Sequence, residues 1–250
     1  MSNSSLVSYT KISPNRTSPR NHKIDIVSIH CAVGQFTAKE LLNLSNFSKY
    51  NPATGSSCNY AIGCDGSIGM GVEEKDRSWC TSSRSNDHRA ITIEVASDTK
   101  HPYAVTGKAY KALIDLLTDI CKRNNIKELK WKADKSLIGH PDKQNMTVHR
   151  WFANKTCPGE YLYERHGQIA KEVNSRLNKK KAFEPYQVKV EISTLNIRKG
   201  PGTDHARTGE FTGKGIFTIV KESKGKGSDS GWGKLKSGAG WISLDFTTKI

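Results

Sequence analysis

The stretch IDIVSIH, residues 24–30, is a run of β-branched and apolar residues that ends in a histidine. Such a run predicts a buried β-strand, and we expect the strand to end at His30. ITIEVAS, residues 91–97, has the same character and predicts a second buried strand, with Glu94 near its centre. The two segments therefore predict the middle of a sheet, with one ionisable side chain on each strand.

Helical and hairpin patterns surround these strands. Thr37 and Glu40 form a capping box that predicts the start of a helix, and the Asp65-Gly66 pair between NYAIG and SIGMGV predicts a β-hairpin. Residues 106–125 and 159–181 carry apolar side chains at helical spacing, namely Tyr110, Leu113, Leu117, Ile120 and Cys121 in the first and Leu162, Ile169, Val173 and Leu177 in the second. Strands that alternate with helices predict an α/β fold, a mixed central sheet flanked by helices.

The pattern changes after the lysine run 179–181 and Pro185. From there the chain consists of short alternating segments separated by glycine turns, about ten residues apart, which predict a small all-β barrel. We therefore expect four parts: a flexible lead-in segment (1–22), a first domain (23–180), a linker (181–186) and a β module (187–250).

Net charge and composition limit the kinds of partner that we expect the chain to bind. The net charge of +15 is spread over both predicted domains, and it favours an anionic partner such as nucleic acid, acidic lipid or a bacterial wall polymer. No run of 18 apolar residues is present, so we expect no membrane insertion. The first 24 residues lack the apolar centre of a secretory signal peptide. We therefore expect a cytosolic protein whose six cysteines are free thiols.

The stretch VHRWFANKTCPG, residues 148–159, holds His149, Lys155 and Cys157. Zinc prefers nitrogen and sulfur ligands, and a catalytic zinc site has three protein ligands and one open position. A loop could bring His149 and Cys157 to one ion, whereas a helix would separate them by roughly 12 Å. His30 is the first candidate for a third ligand and His140 the second. The alternative for His30 is a structural histidine bonded to backbone groups.

Four elements in this order resemble type-2 N-acetylmuramoyl-L-alanine amidases, whose fold is shared with phage-T7-type lysozyme and peptidoglycan recognition proteins. The resemblance extends over residues 24–177, and its elements are IVSIH, the Asp65-Gly66 hairpin, ITIEVAS and VHRWFANKTCPG. In style the chain is nearest to endolysins of phages or prophages of Gram-positive, in particular clostridial, hosts. The resemblance implies an enzyme that acts on peptidoglycan.

The resemblance also implies a role for each site residue. Zinc (Zn²⁺) held by His30, His149 and Cys157 would lower the pKa of a water toward ~7 and polarise the substrate carbonyl. Glu94 would act as general base and then as general acid, and Lys155 would stabilise the oxyanion. The bond broken would be the amide between N-acetylmuramic acid and L-alanine. From the residues alone, Glu94 could equally face solvent and Lys155 could be a solvated loop lysine.

The β module resembles bacterial SH3 domains in LNIRKGPGT and GWGKLKSGAGWI. This resemblance implies a cell-wall-binding domain, with Trp232 and Trp241 as candidate binding residues. The alternative is that these side chains belong to the core of the barrel. We expect one of them to do so and the other to line a groove.

The sequence also departs from the amidase pattern. Relatives often carry a histidine where Asn59 stands, and Trp-His where this chain has Trp79-Cys80. A tyrosine near the zinc of the T7-type enzyme has Cys58 in its place, and Tyr60 falls two positions later, so we do not transfer its role. These departures concern the neighbours of the metal ligands rather than the ligands themselves.

Three other functions remain open from the sequence. A non-catalytic peptidoglycan-recognition protein would typically lack Cys157. A cysteine peptidase of the wall would need its cysteine at a helix N-terminus, facing a distant histidine. A specific nucleic-acid binder is suggested by charge alone, without a motif. The resemblance to lysins implies a protein made in the host cytoplasm that reaches the wall after release through a membrane pore.

Overall fold

The chain forms two compact units, residues 1–179 and 180–250. The computed structural model describes residues 2–178 and 183–250. Residue 180, the end of the expected first domain, lies outside the described residues. Residues 181 and 182 of the expected linker, 181–186, also lie outside them. Among the residues described, no helix combines the length and apolarity needed to cross a bilayer.

The first unit is an α/β unit built on a mixed six-stranded sheet, as the alternation of strands and helices predicts. Its strands are β1 (Tyr9–Thr10), β2 (Arg16–Thr17), β3 (Ile26–Val33), β4 (Tyr60–Ile62), β5 (Ile68–Met70), β6 (Arg77–Ser78), β7 (Ala90–Ser97) and β8 (Met146–Thr147). The strand order is β1-β5-β4-β7-β3-β8, and β2 pairs with β6 in a separate ribbon. Its helices are α1 (Ala38–Asn43), α2 (Ser45–Ser48), α3 (Arg84–Arg89), α4 (Gly107–Arg123) and α5 (Gly159–Asn178), with 3₁₀ turns at Lys135–Leu137 and His149–Trp151.

The core of this unit lies between the central strands and the two long helices. Strands β3 and β7 run parallel over their whole length, and α4 packs its predicted apolar face against the sheet, with Leu113, Leu117, Ile120 and Cys121 fully buried. Each such leucine or isoleucine stabilises the fold by about 1.5–3 kcal/mol. This packing holds β3 and β7 in place. His30 lies on β3 and Glu94 lies on β7.

The hairpin and the first helix form where the sequence predicts them. The capping box is present, because the Thr37 hydroxyl accepts from the Glu40 N–H and the Glu40 carboxylate accepts from the Thr37 N–H. Strands β4 and β5 are antiparallel on either side of the Asp65-Gly66 turn, where Gly66 adopts a φ of 85° that favours glycine.

Strand β3 does not end at His30, which corrects the expectation from the sequence. Cys31, Ala32 and Val33 continue the parallel pairing with Val95, Ala96 and Ser97. The three extra residues are as apolar as those before them, so the strand continues until Gly34. His30 therefore projects from within a strand and is fully buried.

The expected lead-in segment is residues 1–22, and its described part, residues 2–22, is instead packed against the rest of the first unit. Strand β1 pairs with β5 and β2 with β6. The buried Arg20 guanidinium donates to four backbone carbonyls at 2.7–3.1 Å, those of Glu74, Asp76, His88 and Ala90. Polar side chains of this segment bond to backbone groups of the unit. A polar composition alone does not distinguish such a packed segment from a flexible one.

The second unit is all-β, as the spacing of its strands predicts. The strands are β9 (Tyr186–Val190), β10 (Asn196–Arg198), β11 (Arg207–Phe211), β12 (Gly215–Ser223), β13 (Trp232–Leu235), β14 (Trp241–Ser243) and β15 (Thr247–Lys249). They form a sheet in the order β11-β10-β14-β13-β12-β9-β15. A cluster of apolar side chains that includes Val188, Ile219 and Ile242 forms the core.

Candidate active site

His30 and Glu94 face each other on neighbouring strands. They are paired residues in the parallel register of β3 and β7, and paired residues point to the same face of a sheet. His30 Nδ1 lies 3.8 Å from Glu94 Oε1. The imidazole is fully buried and the carboxyl side chain is 13% exposed, so the pair lies at the inner end of an opening to solvent.

His149 and Cys157 come to the same point from one loop. His149 begins a 3₁₀ turn and Cys157 precedes α5. Between them Arg150 closes the loop, because its N–H donates to the Cys157 carbonyl at 3.1 Å and its guanidinium pairs with Glu160 at 3.0 Å. Cys157 Sγ lies 3.3 Å from His30 Nδ1, and the His30 and His149 rings are 5.2 Å apart between centroids.

The three side chains fit a zinc ion. One ligand atom from each of His30, His149 and Cys157 lies within 4.8 Å of the other two, and two imidazoles with one thiolate are a donor set that zinc prefers. Two such donors on one tetrahedral zinc would be roughly 3.6 Å apart, close to the 3.3 Å between His30 Nδ1 and Cys157 Sγ.

The protonation of the imidazoles suits this role. Burial, with smaller contributions from His149 and His166, lowers the pKa of His30 to about 3. Burial, and then the charge of Lys155, lowers the pKa of His149. Ser28 Oγ lies 3.3 Å from His30 Nε2 and donates to the Thr147 carbonyl at 3.2 Å. A proton on Nε2 can therefore bond to Ser28, which leaves the Nδ1 lone pair free for the cluster.

Glu94 has the environment of a general base. Burial raises its pKa to about 7, and the Cys80 thiol, which donates to Oε1 at 3.7 Å, opposes this shift with a smaller effect. A carboxyl with a pKa near neutrality can both accept and return a proton. Glu94 therefore combines a suitable pKa with a position beside the donor cluster.

A cleft of about 950 Å³ opens above the cluster and is lined by Glu94, His149 and Lys155. Lys155 is exposed, and its charge reaches His149. Two further cations, Arg77 and Arg84, also line the cleft. These three cations outnumber the two acidic side chains of the lining, Asp87 and Glu94.

Some predicted residues lie elsewhere. His140 is exposed in the turn after the Lys135–Leu137 segment and is not part of the donor cluster. Trp232 and Trp241 are buried in the second unit, with exposures of 3% and 8%. Both are therefore core residues, and the expectation that one of them lines a groove is wrong.

The residues at which the sequence departs from the amidase pattern have two different environments. Asn59 and Tyr60 are buried away from the cleft, where Asn59 accepts from the Thr92 N–H and the Tyr60 hydroxyl donates to Glu74 at 2.6 Å. Trp79 and Cys80 line the cleft, and Cys80 contacts Glu94.

Sequence reasoning missed two contacts of the site. Ser28 is two residues before His30 on the same strand face, so strict alternation along β3 could have identified it. The contact between Cys80 and Glu94 depends on how the segment between β6 and α3 packs. There the Cys80 N–H donates to the buried Asp87 carboxylate at 3.1 Å, and no spacing rule predicts this arrangement.

Comparison with known proteins gives the family. The sequence profile of the Amidase_2 family, described as N-acetylmuramoyl-L-alanine amidase, matches residues 20–160, which is more than half of the chain. The chain belongs to this family. It is therefore an enzyme of the N-acetylmuramoyl-L-alanine amidase class, whose substrate is peptidoglycan. A search of curated proteins gives no match.

Several solved structures are similar to the chain at low identity. PlyL is 17% identical and covers 66% of this chain and 95% of its own, with a TM-score of 0.48. The endolysin amidase LysCS from Clostridium intestinale URNW is 17% identical over 70% of this chain and 98% of its own, with a TM-score of 0.45. A selenomethionine derivative of AmpD is 19% identical over 68% of this chain and 99% of its own, with a TM-score of 0.49. The family assignment rests on the profile match alone.

Proposed function

We propose that the chain is a zinc-dependent amidase that hydrolyses the amide between N-acetylmuramic acid and L-alanine and so degrades the bacterial wall. The observation that carries the proposal is the convergence of His30, His149 and Cys157 within 4.8 Å, next to Glu94 in an open cleft. The family supplies the bond, and the cluster supplies groups suited to breaking it.

His30, His149 and Cys157 would hold the metal. When bound, zinc supplies Lewis acidity that polarises a carbonyl and makes water a better nucleophile at neutral pH. The low pKa of His30 keeps its imidazole neutral, and Ser28 holds the ring with Nδ1 toward the cluster. Both effects favour metal binding without a proton to displace from His30.

Glu94 would move the proton. Its carboxylate takes a proton from the attacking water and returns it to the nitrogen of the departing L-alanine. A pKa of about 7 suits both steps, since the same group must accept and donate within one cycle. Proton transfer of this kind typically contributes roughly 10²–10⁴-fold to a rate.

Lys155 would stabilise the negative charge that develops on the carbonyl oxygen. Lys155 lines the cleft and its charge acts on His149, and a fixed positive charge lowers the barrier when it faces the developing oxyanion. Because the side chain is exposed, solvent screening reduces its effect compared with a buried donor.

Two observations favour this chemistry over a wall peptidase that uses Cys157 as a nucleophile. A nucleophilic cysteine needs a depressed pKa, whereas a hydrogen bond with Cys31, and then burial, raise the pKa of Cys157. Two imidazoles rather than one also converge on the thiol. The presence of Cys157 further favours an enzyme over a non-catalytic recognition protein.

We propose that the second unit is an SH3-like wall-binding domain. The support is its all-β sheet and the LNIRKGPGT segment that resembles bacterial SH3 domains. Because the two candidate tryptophans are buried, other residues of this unit would contact the wall. The phage origin, the Gram-positive host and delivery through a membrane pore stay predictions.

Digestion of purified walls tests the function. The protein should release new N-terminal L-alanine, a strong chelator should abolish the release, and zinc should restore it. Alkylation of thiols in the zinc-loaded enzyme should have a smaller effect than chelation. Full activity after complete removal of metal would overturn the metal mechanism, and new N-termini other than L-alanine would identify a peptidase.

A further inference from the structure

Cys80 and Glu94 form a pair of potential metal ligands beside the proposed zinc site. Cys80 Sγ lies 3.7 Å from Glu94 Oε1, and both residues line the cleft. Together with His30 they form a second group of donors whose atoms lie within 4.8 Å of one another. Neither Cys80 nor Glu94 belongs to the set of His30, His149 and Cys157.

The separation of the two atoms suits a single ion. With zinc bonds of about 2.3 Å to sulfur and 2.1 Å to oxygen, atoms 3.7 Å apart subtend roughly 115° at the metal, close to the tetrahedral value. A thiolate and a carboxylate favour a thiophilic divalent cation such as Zn²⁺, Co²⁺ or Cd²⁺. Water from the cleft would complete the coordination.

His30 serves only one ion at a time, because its Nδ1 faces both groups while its Nε2 faces Ser28. The first ion takes His30, His149 and Cys157, so a second ion retains Cys80 and Glu94 alone. The second ion must also displace the Cys80 proton to solvent, and burial raises the pKa of that thiol. The nearby positive charges of Arg77, Arg84 and Lys155 in the cleft weaken the binding of the second cation further.

We infer that Cys80 and Glu94 are a second, weaker metal site, and that a thiophilic cation in excess occupies it and inhibits the enzyme by binding Glu94. The inference rests on the proposed function, since inhibition follows only if Glu94 is the base. A carboxylate bound to a cation cannot accept the proton of the attacking water. The same metal would therefore activate the enzyme at one equivalent and inhibit it in excess.

Titration of the metal-free full chain with Co²⁺ tests the inference, because thiolate-to-cobalt charge transfer reports each cysteine ligand. Wild type should bind two equivalents, the second more weakly. Cys80→Ala and Glu94→Gln should each lose the second equivalent and keep the first, and Cys157→Ser should lose the first. Cys64→Ser, a half-buried cysteine outside the cleft, is the matched control and should bind both.

Inhibition gives a second readout. With a soluble muramyl-peptide substrate, excess Zn²⁺ should inhibit wild type, and the concentration for half-inhibition, relative to each variant's own activity at one equivalent, should rise roughly tenfold or more in Cys80→Ala. A single equivalent in wild type that survives Cys80→Ala but not Cys157→Ser would overturn the second site alone. No binding in wild type, or one equivalent that needs Cys80 rather than Cys157, would instead overturn the proposed ligand set.

Discussion

Strands β3 and β7 of the first unit differ from strands β13 and β14 of the second unit in what they bury. The first pair buries Ser28, His30 and Thr92 among its apolar residues, whereas the second pair buries mainly large apolar side chains such as Trp232, Trp241 and Ile242. Buried polar groups need partners, and His30 has them in Ser28 and the donor cluster. In this chain the buried polar residues of the first sheet lie at the proposed metal site, whereas the tryptophans belong to a core.

Substitution of Glu94 has the largest expected effect and tests whether this part of the first sheet is catalytic. Glu94→Gln should lower kcat by about 10²–10⁴-fold, because the amide keeps the shape of the side chain but cannot accept the proton. Zinc content at one equivalent should not change. Rates on a soluble muramyl-peptide substrate and metal analysis of the purified variant measure both quantities. Glu128→Gln, at an exposed carboxyl, is the matched control, and a normal rate in the Glu94 variant would show that another group is the base.

Arg20 tests whether the buried polar network of the first unit is also structural. Arg20→Met should destabilise this unit by about 3–5 kcal/mol, since it leaves the carbonyls of Glu74, Asp76, His88 and Ala90 without their donor. Chemical denaturation, followed by a probe in the first unit, measures the change. Lys111→Met, at a 75% exposed side chain, should change stability by less than about 1 kcal/mol. Equal effects of the two substitutions would mean that the bonds of Arg20 do not stabilise the first unit.

Lys155 should have a smaller effect than Glu94 because it is exposed. We expect Lys155→Met to lower kcat by about 10–100-fold, less than the loss of a buried oxyanion donor. Lys155→Arg should recover part of the rate, since it restores the charge. The kcat and KM of both variants on a soluble substrate check this, with the exposed Lys143→Met as control. A change confined to KM would assign Lys155 to substrate binding instead.

Trp232 provides the smallest expected effect. Its buried indole N–H has no hydrogen-bond partner among the described residues, so Trp232→Phe loses no hydrogen bond there. The smaller ring should cost about 1–2 kcal/mol through the cavity that it leaves. Wall binding by the full chain should be unchanged, as measured by co-sedimentation with purified walls. Loss of binding in a variant with an intact fold would assign the ring to the ligand and would remove the difference between the two units.

The sequence predicted the parts of the molecule that local patterns control. The apolar runs around His30 and Glu94, the Thr37 capping box and the Asp65-Gly66 hairpin depend on neighbours in the chain. Each of them is present in the structure. The end of β3 was wrong because apolar pairing continues past His30.

Contacts between distant segments were not predictable in this way. The bonds of Arg20 to carbonyls 54–70 residues away, and the approach of Cys80 to Glu94, depend on how loops pack in three dimensions. The resemblance to a family suggested which residues form the site. Their separations and protonation came only from the structure.

X-ray absorption by zinc in the protein loaded with one equivalent tests the assignment of the metal ligands, because it identifies those ligands by element and distance. If His30, His149 and Cys157 hold the zinc, the spectrum shows one sulfur at about 2.3 Å and the remaining scatterers as nitrogen or oxygen at about 2.0–2.1 Å. The sulfur should be lost in Cys157→Ser and retained in Cys80→Ala. A zinc site without sulfur, or one whose sulfur disappears with Cys80 rather than Cys157, would contradict the assignment of His30, His149 and Cys157 as the metal site.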